Sequence, residues 1–128
     1  MIETILIYDI PKKVSTNAIY SWVHWKKRKD LADIYHKLTE KVKTLDKINE
    51  KVNIEIQFYF RTRYLDSSNC SYMWKMIEDS LVKNWLLKDD TNEYVWKFTV
   101  ESMRIDKKER KLIKNDYLRI IITNNKWN

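Results

Sequence analysis

The chain has 128 residues, a formal charge of +7, 44% hydrophobic and 34% charged residues, and a single cysteine. That length suits one compact domain over 1–128, and no apolar run approaches the roughly 20 residues needed to cross a bilayer. One cysteine, Cys70, excludes an internal disulfide, and a thiolate metal site would need at least one more soft ligand close by; the positive balance favours a polyanionic partner, because neutralising phosphates releases condensed counterions.

Residues 2 to 8 alternate and are rich in β-formers, which predicts an opening strand. They lack a basic leader and run into Pro11, so they do not read as a signal peptide, and a cytoplasmic location is expected. A loop from Asp9 to His24 carries Pro11, Ser15, Thr16 and Asn17. From Trp25 to Ile48, apolar residues at Leu31, Ile34, Tyr35, Leu38, Val42, Leu45 and Ile48 predict one long helix with a single buried stripe.

Residues 52 to 60 carry the cleanest strand signal, with Val52, Ile54, Ile56, Phe58 and Phe60 on one face and Asn53, Glu55, Gln57 and Tyr59 on the other. After the polar turn Asp66-Ser67-Ser68-Asn69 a second helix is expected to about Asn84, with Met73, Met76, Ile77 and Leu81 turned inward. Strands over about Tyr94 to Ile105 and Tyr117 to Thr123 follow, joined by an exposed charged connection. The order β-α-β-α-β-β predicts an α+β fold, a mixed sheet covered by helices.

Phosphodiester hydrolysis near neutral pH needs clustered carboxylates that gather divalent cations, so candidate acids stand in loops. Two places qualify, Asp66 at the exit of the cleanest strand and Asp89-Asp90 after the second helix. Lys75 and Asp79, four apart on one helical face, either lie over such a site or form an ordinary exposed ion pair. His24-Trp25-Lys26-Lys27-Arg28-Lys29 sets four consecutive cations beside two aromatic groups at a helix start, either a phosphate-binding patch or a solvated face. Cations there oppose the helix dipole, which makes a counter-anion the natural complement. Arg61 and Arg63 stand near Asp66 and could approach a nucleic-acid backbone. His24 and His36 lack the spacing of a zinc site.

Taken together, Asp66-Ser67-Ser68-Asn69, Lys75-Met76-Ile77-Glu78-Asp79-Ser80-Leu81 and Asp89-Asp90 resemble the signature of the RusA-like Holliday junction resolvases, crossover-junction endodeoxyribonucleases of phages and prophages. The intervals Lys75 to Asp79 and Asp79 to Asp89 match, and the loop bearing Pro11, Ser15, Asn17 and Tyr20 is similar to that family's substrate-side loop, so the likeness covers roughly residues 7 to 123. The first acidic segment departs from the pattern, since one aspartate stands where the family has two.

The resemblance implies a magnesium-dependent endonuclease, manganese being an alternative, that cuts four-way or other branched DNA in recombination and repair. It implies Asp66, Asp89 and Asp90 as metal ligands, Asp79 as a member or shaper of the catalytic site, and Lys75 as the group that offsets phosphate charge. Asn17, Tyr20, His24, Lys26, Lys27, Arg28, Arg61, Arg63 and Asn69 would contact DNA, and a homodimer would supply two cuts related by symmetry. The alternative is a catalytically weak or inactive protein that binds branched DNA by its structure.

Glycine is absent, although average usage predicts about nine in this length, with odds of chance absence of roughly one in ten thousand. Tryptophan, by contrast, occurs six times. One reading is a gene in which UGA encodes glycine, leaving Trp22, Trp74, Trp85, Trp96 and Trp127 at glycine positions; the other is a naturally tryptophan-rich or deliberately altered protein.

Overall fold

The computed structural model describes residues 3–16, 25–40, 48, 50–61, 65–84 and 94–124. Its elements are β1 (Glu3–Asp9), α1 (Trp25–Leu38), β2 (Val52–Phe60), α2 (Ser71–Lys83), β3 (Val95–Arg104) and β4 (Tyr117–Thr123). Two 3₁₀ turns, Ser67–Cys70 and Glu109–Lys111, are interleaved among them, so the order along the chain differs from the simple alternation expected. The α+β class holds. The four strands form one mixed sheet in the spatial order β1-β4-β2-β3, with β4 antiparallel to both neighbours and β2 parallel to β3.

Sheet and helices meet through one face of the central strands. The row Val52, Ile54, Ile56, Phe58 and Phe60 is wholly buried, as are Leu118, Ile120 and Ile122 on β4. Met73, Ile77 and Leu81 of α2 and Leu31 and Tyr35 of α1 belong to the same core cluster. Burying each such side chain contributes about 1.5–3 kcal/mol, which makes this row the main determinant of the layer order. Cys70 is buried in the same cluster, and burial pushes its thiol up to about 11.

The first helix stops ten residues earlier than its apolar stripe predicts, and the cause is a buried polar cluster at the α1–α2 crossing. Ser80 Oγ and Asn84 Nδ2 donate to the His36 carbonyl at 3.0 and 2.8 Å, satisfying an oxygen that continued helix would otherwise bond. Thr39 Oγ1 lies 2.6 Å from Ser80 Oγ and accepts from Asn84 Nδ2 at 2.9 Å. Ile48 sits in an isolated bridge; Val42 and Leu45, the rest of the expected stripe, lie outside the described residues.

Candidate functional site

The acid-bearing turn after β2 is fixed from three directions. On its sheet side, Ser102 of β3 donates its hydroxyl to the Leu65 carbonyl, and the Cys70 thiol lies 4.0 Å from the same oxygen. Asp66 then precedes the 3₁₀ turn in extended backbone, with its carbonyl accepting from Asn69 N–H at 2.8 Å and its side chain exposed.

From the N-terminal loop, Thr16 reaches the start of α2. Its Oγ1 donates to the Asn69 carbonyl at 3.1 Å, stands 2.7 Å from Ser71 Oγ and accepts the Tyr72 backbone N–H at 3.0 Å. A residue 56 positions upstream thus serves an N-terminal amide of the helix, the work a local cap normally does. Tyr35 of α1 holds the same loop by donating to the Lys12 carbonyl at 2.5 Å, and burial drives its phenol well above the ordinary range.

The basic helix is tied in by Tyr72, whose hydroxyl donates to the Arg28 carbonyl at 2.9 Å. Lys26, Lys27 and Lys29 are exposed, whereas Arg28 is half-buried and its Nε finds no hydrogen-bond acceptor among the described residues. Residues 10–16, the Asp66–Asn69 turn and the start of α1 therefore converge on the N-terminal end of α2.

Lys75 lies on the first turns of α2 and pairs with two acids. Its Nζ is 3.2 Å from Glu78 Oε1 and 3.7 Å from Asp79 Oδ1. The reading from sequence named only Asp79; Glu78, 9% exposed, is the nearer partner, and its i,i+3 spacing on the helix was the signal that could have found it. The helical rise carries Asp79 about 12 Å from Ser71, farther than one cation with ligands at 2.0–2.6 Å can bridge to the turn before the helix.

Arg61 takes a different setting from the one expected of a free backbone contact. Its Nε donates to the Ile113 carbonyl at 3.0 Å and its backbone N–H to Asp116 Oδ1 at 2.8 Å. It lines a cavity of about 560 Å³ with Asp9, Ile10, Pro11, Lys114, Asn115 and Asp116, which the sequence reading did not assemble because these residues come from three distant strand ends.

Asn17, Tyr20, His24, Arg63, Asp89 and Asp90 lie outside the described residues. Among the described residues no three His, Cys, Asp or Glu side chains gather. Asp66 is the one expected metal ligand on view, and a magnesium site of the expected kind would draw its other carboxylates from Asp89 and Asp90. Of the tryptophans at possible glycine positions, Trp74 packs on Phe98 with ring centroids 4.9 Å apart, and Trp96 lies exposed with Lys51 Nζ 5.8 Å from its ring.

No protein-family model matches this chain, and no curated protein matches it in sequence. Among the described residues no helix is long and apolar enough to cross a membrane.

Proposed function

We propose that this protein binds branched DNA and cuts its backbone as a metal-dependent endonuclease of the RusA-like type. The observation that carries the reading is the convergence at the start of α2. Thr16 fastens the expected substrate-side loop to the Asp66–Asn69 turn, and Tyr72 fastens the basic helix to the same place. A phosphate chain lying across that end would meet the lysines of α1 on its way to Asp66.

Each residue's part follows from its chemistry. Lys26, Lys27 and Lys29 would neutralise phosphates and supply affinity independent of sequence. Asp66 with Asp89 and Asp90 would hold magnesium or manganese, which when bound supplies an activated water and a charge sink for the phosphorus centre. Lys75, anchored by Glu78 and Asp79, would present its ammonium from a fixed direction instead of sweeping as a free lysine does.

The same interface without cleavage is the second reading, favoured by the single aspartate of the Asp66–Asn69 turn. Incubating the purified chain with a synthetic four-way junction, with and without magnesium, separates the two. Symmetric nicks that appear only with the metal support the enzyme; a shifted junction that stays intact supports the binder; neither shift nor cut removes both.

A further inference from the structure

The strand order β1-β4-β2-β3 makes the connection from β3 to β4 cross the end of β2, where the chain leaves for the acid-bearing turn. That connection, residues 106–116, carries five cations against three acids. Lys107, Lys108, Lys111 and Lys114 are exposed, and among the described residues none of them is in an ion pair. Leu112 stands among them, 85% exposed, more than any other large apolar side chain of the described residues.

An exposed leucine by itself is ordinary on a protein surface. This one rides on a turn that is fastened from within and from below. Arg110 N–H donates to the Asp106 carbonyl at 3.0 Å, and the N–H groups of Leu112 and Ile113 both donate to the Glu109 carbonyl, at 3.0 and 2.9 Å. Arg61 at the end of β2 donates from Nε to the Ile113 carbonyl at 3.0 Å and from its backbone N–H to Asp116 Oδ1 at 2.8 Å. The backbone under Leu112 is thus ordered before any partner arrives, and burying the side chain against one loses little further entropy.

We propose that Leu112 is a wedge that enters an opened base step of branched DNA, with the lysines beside it holding the flanking phosphates. An apolar side chain pushed between two bases unstacks the step and kinks the strand. In a continuous duplex the stacking lost is of the same order as the gain from burying one leucine, so insertion is close to balance. At a branch point stacking is already interrupted, and the gain from burial favours insertion. The wedge therefore discriminates DNA structure without reading sequence. Charge selects this occupant: four lysines around one leucine suit a polyanion with flat apolar faces, whereas a membrane surface is held by a broad apolar stripe that this turn lacks.

The wedge lies close to the proposed site. Arg61, which holds the turn, precedes Asp66 by five residues, at most about 18 Å of extended backbone. That is shorter than one turn of duplex, about 34 Å.

The proposal rests on the DNA-binding half of the function proposed above and not on cleavage. The purified full chain is mixed, without divalent metal, with synthetic four-way junctions carrying 2-aminopurine at single positions near the branch, where unstacking raises fluorescence. Wild type should raise it severalfold at one position or two neighbouring ones, and not on linear duplex. Leu112→Ser should melt like wild type, lose the rise and lower the junction-over-duplex preference about tenfold, the lower end for one buried leucine. Leu112→Met should restore both. Lys111→Gln should instead weaken binding to junction and duplex alike and flatten its salt dependence.

A Leu112→Ser protein that keeps the rise and the preference overturns the wedge and leaves junction binding in place. So does a wild type that binds junctions with no rise, or a Leu112→Ser change that shows only in sedimentation or in binding to phosphatidylserine vesicles. A wild type that binds no junction removes the wedge together with the reading it rests on. One that binds and unstacks the branch but never cuts with magnesium removes the enzyme alone.

Discussion

The Thr16 hydroxyl accepts the backbone N–H of Tyr72 at 3.0 Å, so the N-terminal loop caps a helix that begins 55 residues later with Ser71. Through this bond the loop, the acid-bearing turn and α2 share one anchor. Replacing Thr16 with valine keeps the side-chain shape and removes the acceptor. The expected loss is about 1–2 kcal/mol in urea denaturation, together with weaker junction binding. An unchanged denaturation midpoint would show that the anchor contributes nothing.

Lys75 separates a chemical role from a structural one. If its ammonium faces the scissile phosphate, Lys75→Ala lowers the single-turnover cleavage rate by a hundredfold or more, on the order expected for losing one group that stabilises the transition state, while the junction Kd changes little. If it only pairs with Glu78 and Asp79, the variant loses at most about 1 kcal/mol of stability and cuts at the normal rate. Quench-flow with labelled junction, alongside a thermal melt, distinguishes them.

Asn84 ends α2 and terminates α1 at the same time. Asn84→Ala would leave the His36 carbonyl and the Thr39 hydroxyl each one bond short inside the crossing, costing about 1–3 kcal/mol. The measured quantity is the unfolding free energy, and hydrogen exchange should localise the loosening to the last turn of α1.

His36 makes stability depend on pH near neutrality. Burial lowers its pKa, Lys83 lowers it further, and Asp79 and Asp33 act the other way. The native state therefore binds this proton less readily than the unfolded chain. The contribution is present above about 6.5 and is lost as pH falls through that value toward the lower native one. Melting temperature should decline over that window in the wild type and decline less in His36→Gln.

Glu101 behaves in the opposite sense. Its hydrogen bond with Glu55, then burial, then the charge on Glu55 raise its pKa. Its contribution is therefore full below about 4.5 and is lost as pH rises through the native value. Glu101→Gln keeps a neutral group there at every pH, so it should melt higher than wild type at pH 7, with the difference vanishing below about pH 4.5. Parallel melting curves across pH 4 to 7 would contradict this.

The tryptophan excess has its own test in the gene. UGG codons at 22, 85 and 96 would end that reading, whereas UGA codons at 22, 74, 85, 96 and 127 together with a protein mass lower by roughly 129 Da per position, the tryptophan–glycine difference, would support it. The two described positions differ in consequence. Trp74 packs on Phe98 from inside α2, where glycine also carries a helix penalty of about 1 kcal/mol, whereas Trp96 is exposed on an edge strand.

Local sequence was enough for the strands and for the inner face of α2. Alternation in 52 to 60 is a period of two over nine residues, and the buried row of β2 follows it residue by residue, because a pleated strand cannot turn its side chains any other way. Met73, Ile77 and Leu81 were legible for the same kind of reason, through the helical period. The lysines of α1 were legible as a charged face, and Lys75 as a partner for Asp79.

What only the tertiary structure decided concerns groups that meet across the chain. The end of α1 at Leu38 was hidden because its apolar stripe continues, while the oxygen that stops it is satisfied by Ser80 and Asn84, more than forty residues away. The cap that Thr16 gives to Tyr72, the grip of Ser102 on Leu65 and the cavity joining Asp9, Arg61 and Asp116 are likewise set by strand order. Periodicity reports which side of an element is apolar. It carries no information about which distant polar group will be set opposite a given hydrogen-bonding atom, and it is those meetings that position the candidate site.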